Sequence, residues 1–218
     1  MSFRPHADRS ASLHVSYGRP SAAPEARQED VYSQSRENPN AVIWLTGLSG
    51  AGKSTLGHHV RPRLEALGYR TYLLDGDVLR TGLNADLGFS ASDRSENVRR
   101  TAHVANLMAD SGLLVLVAAI APFAADRAKA REVVGKRLHE VFVAADLETC
   151  RRRDPKGLYA RAFNGEILNF TGVDSPYEPP EAPDLLLDTG KLTLDACSDS
   201  LVDYIMRAVP LRSASPPL

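Results

Sequence analysis

AVIWLTGLSGAGKST, residues 41–55, decides the fold. An apolar run, Ala41 to Thr46, leads directly into a glycine-rich turn, then a lysine and two hydroxyl residues. The run reads as a buried strand. Gly47, Gly52, Lys53 and Ser54 fit the spacing G-x-x-x-x-G-K-[ST], with the strand before and a helix after that this pattern requires. Glycines let backbone N–H groups turn inward around phosphates, and the helix N-terminus adds partial positive charge. The candidate ATP cradle is therefore Gly47, Leu48, Ser49, Gly50, Ala51, Gly52, Lys53, Ser54 and Thr55. Lys53 would reach the outer phosphates, and the Ser54 hydroxyl is placed for Mg²⁺. The pattern is specific for a nucleoside triphosphate and silent on what happens to it. GTPases, motor ATPases and small-molecule kinases share it.

Outward from the cradle, strands and helices alternate. A helix is expected from Ser54 to about Leu67, ended by Gly68 and disturbed by Pro62. Arg70–Asp75 is the second strand. Ser92–Ser111 is a long helix that Ser92 can cap, with Val98, Ala102, Ala105 and Met108 or Ala109 on one face. Leu113–Ile120 is apolar throughout, as a central parallel strand would be. A helix after Pro122, ending near Leu138, then EVFVAA and DLLLDT as strands, and a helix over Thr193–Ala208 complete the pattern. Leu194, Cys197, Leu201 and Ile205 should face inward from that last helix. The expected fold is α/β: a P-loop NTPase fold with a five-stranded parallel sheet and helices on both faces. The domain spans residues 41–218. Residues 1–40, rich in Ser, Ala, Arg and Pro, are expected to be a disordered tail.

Composition narrows the partners. The chain has 218 residues, 26 basic against 27 acidic, so bulk binding to nucleic acid or a membrane surface is not expected. No apolar stretch approaches the ~20 residues of a membrane span, and the N-terminus lacks a signal-peptide core. Two cysteines, Cys150 and Cys197, make no disulfide framework, which fits a cytoplasmic protein.

The acceptor side is less local. The second strand ends in Asp75-Gly76-Asp77, at the edge where such sheets bind ligands. These acids can hold Mg²⁺ through water, accept a hydroxyl proton, or merely cap a turn. The following stretch concentrates Arg80, Arg94, Arg99 and Arg100 beside Asn84 and Asn97. Phe89 stands in a glycine-flanked loop, where it either stacks on a base or packs down on the core. Residues 151–180 form a long polar segment punctuated by Gly and Pro, with Lys156, Tyr159, Arg161 and Phe170 within it. Such a segment is usually functional, and a kinase needs a lid that excludes water.

Together these stretches resemble the adenylylsulfate kinase family, whose members phosphorylate the 3′-hydroxyl of adenosine 5′-phosphosulfate. The resemblance rests on WLTGLSGAGKST, LLDGDVLR, LNADLGFSASDRSENVRR, the strand ending IAPFAADR, and RDPKGLYARAFNGEILNFTGVDSPYEPP, in that order. It implies catalytic roles for Lys53, Asp77 and Lys156. It implies that Arg80, Arg94 and Asn97 clamp the phosphosulfate and that Phe89 and Phe170 grip the acceptor's adenine. Ile120 and Ala121 would line the acceptor pocket. Lys156, Gly157 and Leu158 would approach both substrates from the lid. Arg153, or its neighbours Arg152 and Asp154, would lie near the ATP base. Mg²⁺ would sit at Ser54 and Asp75. A homodimer and functional coupling to an ATP sulfurylase follow from the same resemblance.

One residue departs from the family. Where it often has I-S-P, with the serine described as a phosphoryl carrier, this chain has Ile120-Ala121-Pro122. Alanine has no hydroxyl, so a covalent relay at this position is excluded, and direct in-line transfer is expected. Two other readings are weaker. A kinase for a sugar acid or nucleoside fits the cradle but not N-F-T-G and K-G-L-Y. A non-catalytic subunit regulating a sulfurylase would fit Ala121 alone, against intact Lys53, Asp77 and Arg94. His58, His59, His103 and His139 lack metal-ligand spacing.

Overall fold

The computed structural model describes residues 39–211. The expected tail lies, apart from its last two residues, outside the described residues. Strand β1 (Ala41–Thr46) is central, flanked by β3 (Leu114–Ala118) and β4 (Leu138–Ala144). β2 (Thr71–Asp75) and β5 (Leu185–Asp188) form the edges, giving an all-parallel sheet in the order β2-β3-β1-β4-β5. Parallel neighbours require crossovers, and helices supply them. They are α1 (Lys53–Ala66), α2 (Gly76–Leu79), α3 (Ala91–Asp110), α4 (Ala124–Val134), α5 (Leu147–Arg153), α6 (Leu158–Phe163) and α7 (Leu194–Ala208).

Alternation along β1 explains the two layers. Ile43 and Leu45 join the core under α1 and α7, while Val42 and Trp44 join the core under α3 and α4. β3 repeats this with Leu114 and Leu116 on one side, Val115 and Val117 on the other. Each such side chain, fully buried, contributes roughly 1.5–3 kcal/mol. That is why β1 and β3 are continuously apolar.

The expected sheet and both helical layers are present, and element ends shift by a few residues. α1 begins at Lys53 and runs unbroken through Pro62. α3 is capped by Ser90, not Ser92: the Ser90 hydroxyl accepts from the Asp93 N–H at 3.1 Å. The helix after Pro122 ends at Val134, with a 3-10 turn to Arg137. On α7, Cys197, Leu201 and Ile205 are buried as expected, but Leu194 is 41% exposed. It sits in the first turn of α7 and borders the cavity at the carboxyl ends of the strands. Residues 151–180 are not one open loop. Helix α6 lies inside them, and Tyr159, Ala162 and Phe170 anchor them in the core.

Candidate active site

A cavity of about 680 Å³ opens at the carboxyl ends of the strands. Its floor is the turn between β1 and α1. Gly47 has φ 149°, and a Cβ there would meet Val143 O at 2.3 Å, so no larger residue fits against β4. Gly50 has φ 76° and presses on the Cys150 backbone. The N-terminus of α1 differs from those of α3 and α7, which Ser90 and Thr193 cap with their side chains. Gly52 at the start of α1 offers no side chain, so the first-turn N–H groups are left to an anion. Ser49, Gly50, Ala51, Gly52, Ser54 and Thr55 all line the cavity.

Lys53 also lines it, although only 8% exposed. Its Nζ donates to Gly47 O and Leu48 O, both at 2.8 Å. That is how these two residues take part, since they do not line the cavity themselves. Burial pulls the Lys53 pKa down to about 8, opposed by the field of Cys150 and of Asp77 and Asp75. An ammonium so poorly solvated gains from an arriving phosphate.

Above the floor, Asp77 and Lys156 line the cavity as an ion pair, Nζ to Oδ2. Asp75 is a helix cap: its Oδ1 accepts from the Asp77 N–H at 2.8 Å. It does not line the cavity, and neither does Gly157, which starts α6 with φ 63°. Leu158 does.

The far end of the cavity is cationic and aromatic. Arg80 and Arg94 flank the Phe89 ring, their guanidinium carbons 4.3 and 5.6 Å from its centroid. Phe89 is 47% exposed and does not pack into the core. Arg94 is buried and tied to two loops, donating to Phe89 O at 3.0 Å and Asn169 O at 2.6 Å. Phe170 lies edge-on to Tyr159, at 5.0 Å and 79°. Ile120 and Ala121 complete this wall. Two buried polar atoms of cavity-lining residues, Asn97 Nδ2 and Thr171 Oγ1, have no hydrogen-bond partner among the described residues. Such groups are costly unless a ligand or water satisfies them.

Sequence reasoning missed part of the site. Thr171 was one such residue. Another group is Thr189, Leu192, Thr193 and Leu194, which border the cavity beside Arg153. Arg153 Nη2 donates to Thr189 O at 2.6 Å, and the Thr189 hydroxyl donates to Ala51 O at 2.8 Å. Asp154 also lines the cavity, with its carboxylate accepting from the Tyr159 and Ala160 N–H groups; Arg152 does not line it. The signal was available: Thr189 follows β5 at the carboxyl edge of the sheet, where ligand contacts concentrate. The histidines have structural surroundings. His59 meets the Ser198 hydroxyl at 3.0 Å, and His139 meets Tyr204 at 2.8 Å. Both cysteines are free and buried.

Known proteins resemble this chain in sequence and fold. The family described as adenylylsulphate kinase matches residues 39–188. The chain belongs to the adenylylsulphate kinase family. An adenylyl-sulfate kinase from Clostridium acetobutylicum is 52% identical over 165 residues, covering 76% of this chain and 82% of that one. A solved Mycobacterium tuberculosis APS kinase CysC, in complex with AMPPNP and APS, is 51% identical with a TM-score of 0.74. It covers 77% of this chain and 98% of its own. The bifunctional enzyme NodQ of Rhizobium sp. is 55% identical over 166 residues, which are 76% of this chain and 26% of that enzyme. Family membership makes this chain an ATP-dependent kinase of adenosine 5′-phosphosulfate. No helix among the described residues is long and apolar enough to cross a membrane.

Proposed function

We propose that the γ-phosphoryl group of ATP passes directly to the 3′-hydroxyl of adenosine 5′-phosphosulfate, yielding ADP and 3′-phosphoadenosine 5′-phosphosulfate. The supporting observation is one continuous cavity lined by Lys53 at the cradle, Lys156 and Asp77 between, and Arg80 and Arg94 at the far end. Two anions meeting end to end repel each other, and cations along their path offset that repulsion.

In this reading the triphosphate lies on the first turn of α1, and Lys53 exchanges its carbonyl partners for phosphate oxygens. Arg153 and the Thr189–Leu194 turn border the donor base. Arg80, Arg94 and Asn97 hold the phosphosulfate, and Phe89 and Phe170 enclose the acceptor's adenine. Lys156 leaves Asp77 for the transferring group. Asp77 then orients the 3′-hydroxyl and takes its proton as the new O–P bond forms and the β–γ bridging bond breaks. Ala121 supplies no nucleophile, and none is required.

Ser54 and the carboxylates of Asp75 and Asp77 are hard oxygen donors that suit Mg²⁺. Ser54 would bind it directly and Asp75 through water. When bound it would neutralise phosphate charge. Among the described residues no cluster of three or more His, Cys, Asp or Glu is placed to hold a metal. The resemblance further supports a cytoplasmic homodimer, and the match to a bifunctional enzyme supports coupling to a second activity, which would be an ATP sulfurylase.

ADP release is to be measured with and without adenosine 5′-phosphosulfate. Release that depends on the acceptor is expected, and release indifferent to it overturns the reading. With γ-labelled ATP the label should appear only in the nucleotide product. Stable label on a serine essential for turnover refutes direct transfer.

A further inference from the structure

Beyond β3 the chain enters the cavity wall with three successive carbonyls, each held by a different element. The Thr46 hydroxyl, at the end of β1, donates to Ile120 O at 2.5 Å. Arg127 Nη1, on α4, donates to Ala121 O at 2.9 Å. The Glu178 N–H, on the arm returning from residues 151–180, donates to Pro122 O at 2.9 Å. Ile120, Ala121 and Pro122 line the cavity, while Thr46, Arg127 and Glu178 do not. All three carbonyls are therefore engaged by groups outside it.

Ala121 makes this possible at a steric cost. Its φ is +45°, where residues with a Cβ are disfavoured. Such conformations persist where their surroundings over-determine them. In an extended chain successive peptide units alternate in direction, so engaging three carbonyls in a row from outside the cavity calls for a departure from extended backbone, which Ala121 supplies. A carbonyl dipole facing an anionic acceptor repels it.

The surroundings of Ala121 are built with care for direction. Arg127 is 8% exposed, and its Nε pairs with Glu140 Oε1 of β4 at 2.6 Å. That pair compensates the buried charge and aims the guanidinium. Thr46 is shared with the Tyr177 hydroxyl at 3.0 Å, and Tyr177 stacks on Phe142 with ring centroids 6.1 Å apart. The Glu178 carboxylate accepts from the Ala124 N–H at 2.6 Å. The mechanism above uses none of these side chains.

We propose that Arg127 is a positioning residue for the acceptor: aimed by Glu140, it holds Ala121 at positive φ and keeps the 120–122 carbonyls off the anion's side of the cavity. It touches neither substrate and acts through Ala121. The proposal rests on the acceptor reading given above.

Arg127→Lys tests it, because lysine keeps the charge beside Glu140 but lacks the rigid fork that places one nitrogen on Glu140 and another on Ala121 O. The KM for adenosine 5′-phosphosulfate should rise about tenfold, as expected for a misplaced site wall, with the KM for ATP nearly unchanged. Adding Ala121→Gly removes the cost of positive φ and should return the acceptor KM to within about threefold of the parent. A merely structural arginine would lower Tm, raise both KM values together and show no rescue. An unchanged acceptor KM, a parallel rise in both, or a failed rescue overturns the proposal. If Arg127→Lys does not fold, Glu140→Gln, which leaves the arginine but not its aim, carries the same test. Calorimetry with a non-hydrolysable ATP analogue separates the two levels. A parent protein that fails to bind the acceptor sinks the functional reading. A parent that binds, beside an Arg127→Lys variant that binds equally well, sinks this inference alone.

Discussion

The two ends of the cavity are built in different ways. The donor end is one contiguous stretch, Gly47–Thr55, whose shape follows from local backbone: glycines at positive φ and a helix start without a side-chain cap. The acceptor end is gathered from the loop before α3, the α3 surface, the chain after β3 and the segment between α5 and β5. It is held by side chains reaching backbone oxygens, such as Arg94 to Asn169 O and Arg80 to Gly88 O at 3.0 Å. A binding loop of the first kind is portable between enzymes, and so says little about chemistry. An assembly of the second kind belongs to one substrate.

The contrast predicts where substitutions will be felt. Lys53→Ala should abolish turnover, a loss of at least about 10³-fold in kcat, because the transferring phosphate loses its buried cation. Measurable turnover in a coupled ADP assay would show that the donor end does not depend on it. Asp77→Asn sits where the two ends meet. It should lower kcat by about 10²-fold or more while acceptor affinity changes less. A near-normal kcat would remove Asp77 from the mechanism. Phe89→Ala should act on the acceptor end alone, raising that KM by roughly tenfold through lost stacking. Equal effects on both KM values would erase the distinction between the ends.

The smallest effect is a pH dependence. Lys53 has a folded pKa of about 8, lowered by burial from 10.5. The fold therefore disfavours the charged form, and this penalty is complete below pH 8 and relieved as pH rises from there toward 10.5. A bound triphosphate favours the charged form. Nucleotide binding should take up protons above about pH 8 and weaken as pH rises further. Calorimetry in buffers of different ionisation enthalpy measures this, and no proton uptake at pH 9 would contradict the assignment to Lys53.

The same contrast explains how far the sequence could be read. The apolar runs of β1 and β3 and the G-x-x-x-x-G-K-S spacing are local signals, and the sheet and cradle follow from them. The face of α3 was legible from Val98, Ala102 and Ala105 because helical period is local too. Helix α6 was hidden by its polar and glycine-rich surroundings, since its stability comes from Tyr159 and Ala162 meeting a distant core. Asp75 looked like a metal ligand, and its side chain caps α2, one of the roles that a D-G-D turn leaves open. Thr189 could have been found from its place after β5, whereas Arg127 was invisible because nothing near it in sequence indicates which backbone oxygen it reaches.

Hydrogen bonds near both ends of the 151–180 segment limit how it can move. At its start the Tyr159 hydroxyl donates to Ser49 O at 3.0 Å, so α6 is riveted to the glycine-rich loop after β1. At its finish Tyr177 and Glu178 are riveted to β1 and the α4 approach. The flap thus cannot swing like a door on one jamb. Its movement is confined to the stretch between these ties, where Arg94 in turn holds Asn169 O at 2.6 Å and Leu168 stands 69% exposed.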